Sequence, residues 1–192
     1  MQNPSKRREK DVLVLLSGGI DSTACIHYYS NLGFSVNALF IDYNQKSKYQ
    51  EFLSAKNVAS HYGIKLKRVS VTNLNKMSSG LINGRNLFLL SIALLCFKNK
   101  GLIALGVHFG TQYNDCKHTF IEAIQKVFDI YNNGTIRIDT PFIKMTKNEI
   151  WNFCQKNNVP INLTYSCENG EKQPCGKCNS CKDLLLLYES SK

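Results

Sequence analysis

The chain has 192 residues, 43% of them hydrophobic, with 24 Lys and Arg against 14 Asp and Glu for a formal charge of +10. That length suits one compact domain with its own core. No apolar run approaches the roughly 20 residues of a membrane-spanning helix, and residues 1–10 lack the apolar stretch of a secretory signal. The expected setting is therefore cytoplasmic, without a membrane partner, and the basic excess favours polyanions, either nucleotide phosphates or RNA.

A basic tail is expected over residues 1–10. Residues 12–16 (VLVLL) follow as a short continuous apolar run, the pattern of a buried parallel strand. A helix is predicted from Ser22 to Asn31, with Gly33 suited to its end. Residues 35–41 read as a second strand. The next helix is amphipathic and gathers Phe52, Ala55, Ala59 and Tyr62 on one face. Residues 66–71 read as a third strand and 72–84 as a loop rich in Asn, Ser and Gly. Residues 87–97 (LFLLSIALLCF) are apolar all round, which predicts a helix buried in the middle of the fold.

A fourth strand is predicted over 102–107. The helix from His118 to Tyr131 places Phe120, Ile121, Ile124, Phe128 and Tyr131 on one face. Residues 136–139 read as a fifth strand. The last long helix starts at Thr146, where Thr146 and Glu149 form a capping box, and Pro160 lies past its end. A short helix pattern closes the chain at 182–189. This β-α alternation predicts an α/β fold with an open, mostly parallel sheet covered by helices on both faces. Ligands in such folds bind at the C-terminal ends of the strands. The expected division is 11–160 for this domain and 161–192 for a metal-binding segment packed on it.

Directly after the first strand stands Ser17-Gly18-Gly19-Ile20-Asp21-Ser22-Thr23. Two glycines let backbone N–H groups approach an anion, and a helix N-terminus beyond them adds positive potential. Ser17, Ser22 and Thr23 offer hydroxyls to phosphate oxygens. Asp21 suits a magnesium ion or a helix cap. The string is neither a Walker A loop nor G-x-G-x-x-G.

Four of the eight cysteines, Cys25, Cys96, Cys116 and Cys154, stand singly; Cys167, Cys175, Cys178 and Cys181 crowd together. In a reducing compartment such a crowd holds metal more often than disulfides. Four thiolates suit a closed, structural zinc site. An iron–sulfur run is the rival reading, but its fourth ligand would fall on Leu185. Cys116 could be a nucleophile beside Asp115 and Lys117, though a buried thiol is the commoner fate. His27, His61, His108 and His118 show no ligand spacing.

The S-G-G-x-D-S string resembles the signature of the pyrophosphate-loop ATPases, which implies an adenine nucleotide alpha hydrolase-like fold and cleavage of ATP between its α- and β-phosphates. By that resemblance Leu16, Ser17, Gly18, Gly19, Ile20, Asp21, Ser22 and Thr23 would line the ATP site, with Asp42 near the nucleoside. Gly84-Arg85-Asn86, Asp115-Cys116 and the tail from Ser166-Cys167 to Pro174-Cys175-Gly176-Lys177-Cys178 and Cys181 resemble the 7-cyano-7-deazaguanine synthases, from about Val12 to Leu187.

That family resemblance implies ATP, Mg2+ and Zn2+ as cofactors, a small-molecule deazaguanine carboxylate and ammonia as partners, and Arg85, Asp115 and Lys117 as catalytic candidates. A homodimer is a further partner expectation. The family's Tyr-Gly-Gln-x-His is here Tyr43-Asn44-Gln45-Lys46-Ser47, the loop between Val71 and Gly84 is short, and the stretch 110–117 has lost an acidic residue, a proline and an arginine. Those departures leave open a paralogue that joins the activated deazaguanine to a protein or nucleic-acid amine. A tRNA-modifying enzyme of the same superfamily stands behind it.

Overall fold

The computed structural model describes residues 10–74, 82–98 and 100–190; the basic tail before Lys10 and the middle of the 72–84 loop lie outside them. The strands are β1 (Asp11–Leu15), β2 (Ser35–Asp42), β3 (Lys65–Ser70), β4 (Gly101–Ala104) and β5 (Ile136–Asp139). The helices are α1 (Ile20–Asn31), α2 (Lys48–His61), α3 (Arg85–Cys96), α4 (His118–Asn132), α5 (Lys147–Lys156) and α6 (Asn179–Glu189). The strands form one sheet in the order β3-β2-β1-β4-β5. Every pairing is parallel, with Val12 of β1 opposite Val36 on one side and Leu102 on the other.

The continuous apolar run of β1 is explained by burial on both faces. Val12, Val14 and Leu16 join a layer with Ala24 of α1, Val58 of α2, Trp151 of α5 and Leu187 of α6. Leu13 and Leu15 face the opposite layer, with Leu90 and Ala93 of α3 and Ile124 and Phe128 of α4. β3 is an edge, and Lys65, Lys67 and Arg68 along it are exposed. Charged side chains there oppose the addition of a foreign strand.

Some expectations shift. α1 begins at Ile20 with Gly19 as its N-cap, two residues before Ser22. α3 is not buried all round: Leu87 is 44% and Leu95 77% exposed, and only Asn86, Leu90 and Ala93 are fully covered. It lies on one face of the sheet, so its apolar composition overstated its burial. Tyr131, expected on the inner face of α4, is 75% exposed in the last turn. β4 ends at Ala104, although Leu105 N–H still donates to Asp139 O at 3.1 Å. The capping box of α5 is present as read. Among the described residues no helix is long and apolar enough to cross a membrane.

From β1 the chain moves outward through β2 and β3, then returns to the far side of β1 for β4. The loops after β1 and β4 therefore part in opposite directions, which opens a crevice at their C-terminal ends. Gly106 keeps that crevice tight at its base, since a Cβ there would lie 2.9 Å from the Asp21 carbonyl carbon.

Candidate functional site

Gly18 turns the chain out of β1 at φ +85°. Any Cβ at this position would lie 2.6 Å from Glu51 O and 2.8 Å from Ala55 N. The loop is thus seated on the first turns of α2, and only glycine fits there. Ser22 Oγ and Thr23 Oγ1 both donate to Gly19 O, at 3.0 and 2.9 Å. Ser17 Oγ lies 3.2 Å from Ser22 Oγ and accepts from Gly19 N–H at 3.3 Å. The first amides of α1 then follow without helical partners, as at any helix start, and leave N–H groups and the positive end of the helix dipole open to an anion.

Beyond this loop lies a cleft of about 690 Å³, within the range of small-ligand pockets. Leu16, Ser17, Gly19, Ile20, Asp21 and Ser22 line it, as does Arg85. Gly18 and Thr23 do not; Thr23 is fully buried behind the loop. Asp42 also lies away from the cleft. Its Oδ2 accepts from Arg68 at 2.8 Å and its Oδ1 from Asn44 N–H at 3.1 Å. Burial opposes charge on Asp42, but Arg68, Asn44 and Lys48 outweigh it and hold the carboxyl below its usual range. Asp42 ends β2, and its side chain is turned toward Arg68 on the edge strand β3.

The three catalytic candidates separate. Arg85 opens α3, lines the cleft and lies near Tyr43, whose phenol burial pushes up while the Arg85 charge partly offsets it. Asp115 accepts from Asn86 N–H at 3.2 Å and so pins the start of α3 instead of lining the cleft. Lys117 Nζ turns out to Asn114 Oδ1 at 2.7 Å and also lies off the cleft. Cys116 does line it, but burial pushes its thiol up, away from a reactive thiolate.

The cation that the sequence reading missed is Lys147, the first residue of α5. Its Nζ donates to Asp21 Oδ1 and Oδ2 at 2.9 and 2.7 Å, inside the cleft. Magnesium in nucleotide sites is held by one or two carboxylates plus phosphate oxygens and water. Asp21 is the one carboxylate of this turn, and since both its oxygens accept from Lys147, it would hold magnesium only with that ammonium moved off one of them, toward a phosphate.

The altered 43–47 loop is internally satisfied. Asn44 sits at φ +66°, where the family pattern has glycine; asparagine is among the few residues that tolerate this region. Gln45 is buried, accepts from Tyr43 N–H at 2.9 Å and donates to Ile41 O and Glu51 Oε2 at 3.2 and 2.9 Å. Ser47 Oγ donates to Glu51 Oε1 at 2.6 Å. Burial pushes the Glu51 carboxyl up in spite of these donors.

The Sγ atoms of Cys167, Cys175, Cys178 and Cys181 all lie within 4.8 Å of one another. Zinc–sulfur bonds of about 2.3 Å place tetrahedral sulfurs about 3.8 Å apart, and Cys175 Sγ is 4.0 Å from Cys181 Sγ. The N–H groups of Lys177 and Cys178, each 3.4 Å from Cys175 Sγ, draw its thiol down to about 6. Such convergence on one point suits a single ion such as zinc, where an iron–sulfur cluster spreads its cysteines over separate irons. The expected fourth iron ligand position, Leu185, is 54% exposed on α6.

Residues 11–82 and 75–185 match the family model described as Queuosine biosynthesis protein QueC. A curated 7-cyano-7-deazaguanine synthase from Prochlorococcus marinus is 30% identical, covering 95% of each chain. Another with that name, from Acetivibrio thermocellus, is 31% identical over 88% of each chain. Among solved structures, the U34-tRNA thiolase NcsA from Methanococcus maripaludis with its 4Fe-4S cluster superposes with a TM-score of 0.55 at 17% identity, covering 98% of this chain and 68% of that one. An NMN synthetase from Francisella tularensis gives 0.50 at 19% identity, covering 90% and 72%. At these identities the structural likeness shows the fold alone, which is adenine nucleotide alpha hydrolase-like.

Proposed function

The chain belongs to the QueC family of queuosine biosynthesis, and from that premise we propose that it is an ATP-dependent ligase converting 7-carboxy-7-deazaguanine to 7-cyano-7-deazaguanine. The observation that carries this reading is the single cleft that brings the Ser17–Ser22 loop, Lys147 and Arg85 around one space at the switch point of the sheet.

The chemistry follows from the substrate. A carboxylate is a poor electrophile until one oxygen becomes a leaving group. A carboxylate oxygen attacks the α-phosphorus of ATP and pyrophosphate departs. Ammonia then adds to the acyl carbon, loses a proton and expels AMP with that oxygen, leaving the amide. A second ATP adenylates the amide oxygen, and loss of the two amide protons with AMP yields the nitrile.

Negative charge grows on the departing pyrophosphate at both activations. Lys147, Arg85 and the first amides of α1 are the fixed positive groups that offset it. Asp21 would hold magnesium, which neutralises phosphate charge when bound. The four cysteines would hold zinc in a structural role, since four thiolates leave no open position.

The deciding experiment incubates purified protein with ATP and 7-carboxy-7-deazaguanine, with and without ammonia, following pyrophosphate and product mass. Ammonia-dependent nitrile formation supports the synthase. Adenylation that stalls before the nitrile moves the reading to the paralogue with another amine, on a protein or nucleic acid. An absence of turnover overturns both.

A further inference from the structure

The Gly18 carbonyl points out of the phosphate loop into two donors from distant parts of the chain. Tyr165 N–H reaches it at 2.9 Å and Ser54 Oγ at 2.7 Å. The same hydroxyl lies 2.6 Å from Leu163 O. With one proton to give, it bridges the two carbonyls and joins the loop to the segment leading into the cysteines. Ser54 is 5% exposed, on the inner face of α2.

A trans peptide directs its C=O and its N–H to opposite sides, and the described residues contain no cis bond. Tethering the Gly18 carbonyl therefore turns Gly19 N–H the other way, toward the open side of the loop. There it donates to Ser17 Oγ at 3.3 Å, a long bond that a phosphate oxygen would replace, and both residues line the cleft.

We infer that Ser54 and the main-chain N–H of Tyr165 are positioning groups for phosphate binding, fixing the Gly18–Gly19 peptide so that Gly19 N–H is aimed into the cleft. This rests on the reading of the cleft as an ATP site. Tyr165 itself lines the cleft, but its N–H and the Ser54 hydroxyl are both turned to Gly18 O and act through one peptide plane. A free peptide at this turn could rotate and present its carbonyl to the phosphates, replacing an attraction by a repulsion.

The test is pyrophosphate binding by calorimetry to the full chain, comparing Ser54→Ala with wild type and Tyr165→Pro with Tyr165→Ala. Both changes at 165 remove the ring, and only proline removes the N–H. Thr164 is already extended, at φ −88° and ψ 157°, as a residue before proline must be. Tyr165→Pro is expected to bind about tenfold more weakly than Tyr165→Ala, and Ser54→Ala about tenfold more weakly than wild type.

In turnover the KM for ATP should rise by that factor while kcat changes less. A merely structural role would lower the unfolding midpoint and the metal content without this split. Equal affinities within both comparisons would overturn the positioning role and leave the ATP reading standing. A wild-type chain that binds neither pyrophosphate nor ATP would overturn the ATP reading and the positioning role together. Should Tyr165→Pro fail to fold, the Ser54→Ala affinity decides.

Discussion

Lys147 Nζ meets both carboxylate oxygens of Asp21, at 2.9 and 2.7 Å, across 126 positions of sequence. The pair ties the N-terminus of α5 to the first turn of α1 and places an ammonium group at the mouth of the Ser17–Ser22 loop. Lys147→Ala should slow ATP-dependent pyrophosphate release on the order of 100-fold, as loss of one charge-stabilising donor does. Stability should change little, because Lys147 is 32% exposed and such pairs contribute about 0–1 kcal/mol. Steady-state pyrophosphate assays beside thermal unfolding check this; an unaltered rate removes Lys147 from the site.

Gly18→Ala combines a left-handed φ of +85° with a Cβ 2.6 Å from Glu51 O. Backbone strain of this kind costs about 1–3 kcal/mol, and relieving the clash must move the loop off α2. The variant is expected to have a lower unfolding midpoint and to lose measurable ATP binding. Calorimetric titration with ATP reads the second effect, and retained affinity would mean that the loop tolerates displacement.

Removing the metal should release the tail. The wild type is expected to carry one zinc per chain by elemental analysis, and Cys178→Ala substantially less. Chelated protein should be cut by protease within 161–192 while the sheet resists. In the stripped protein Cys175 should be alkylated first at pH 7, because two backbone N–H groups stabilise its thiolate. Full zinc content in Cys178→Ala would exclude that ligand.

Asp42 and Arg68 give an acid-dependent term. Although burial opposes its charge, Asp42 is held below its ordinary 3.8 by Arg68, Asn44 N–H and Lys48. The folded pKa is below the unfolded one, so the stabilisation is complete above the unfolded value and is lost as pH falls through the folded value. Asp42→Asn should therefore cost about 1 kcal/mol at pH 7, with the difference from wild type shrinking below pH 4. Urea midpoints across pH 2.5–7 test this, and a pH-independent difference would contradict it.

The parts legible in the sequence are those written in adjacent residues. The loop from Ser17 to Ser22, the Thr146–Glu149 cap and the spacing of Cys175, Cys178 and Cys181 each sit within a short stretch of consecutive residues, so their geometry is local. The apolar run of β1 was legible because a central parallel strand needs nothing else. Lys147 carried no signal, since its partner stands on another helix and only the sheet order brings them together. The place of Asp42 at the end of β2 was legible and the direction of its side chain was not, because its partner Arg68 stands on β3. The burial of α3 was misread for a related reason: composition records how apolar a segment is, while the number of neighbouring layers decides how much of it is covered.

The hydrogen bond from Tyr165 to Gly18 also sets an order in time. Synthesis delivers the Ser17–Ser22 loop before β2, yet the Gly18 carbonyl waits for a donor made after β5. A chain that stops short of residue 165 lacks the donor that holds the Gly18–Gly19 peptide, whatever else has folded. The loop precedes its donor along the chain, so its final geometry reports that the segment leading into the cysteines has docked on it.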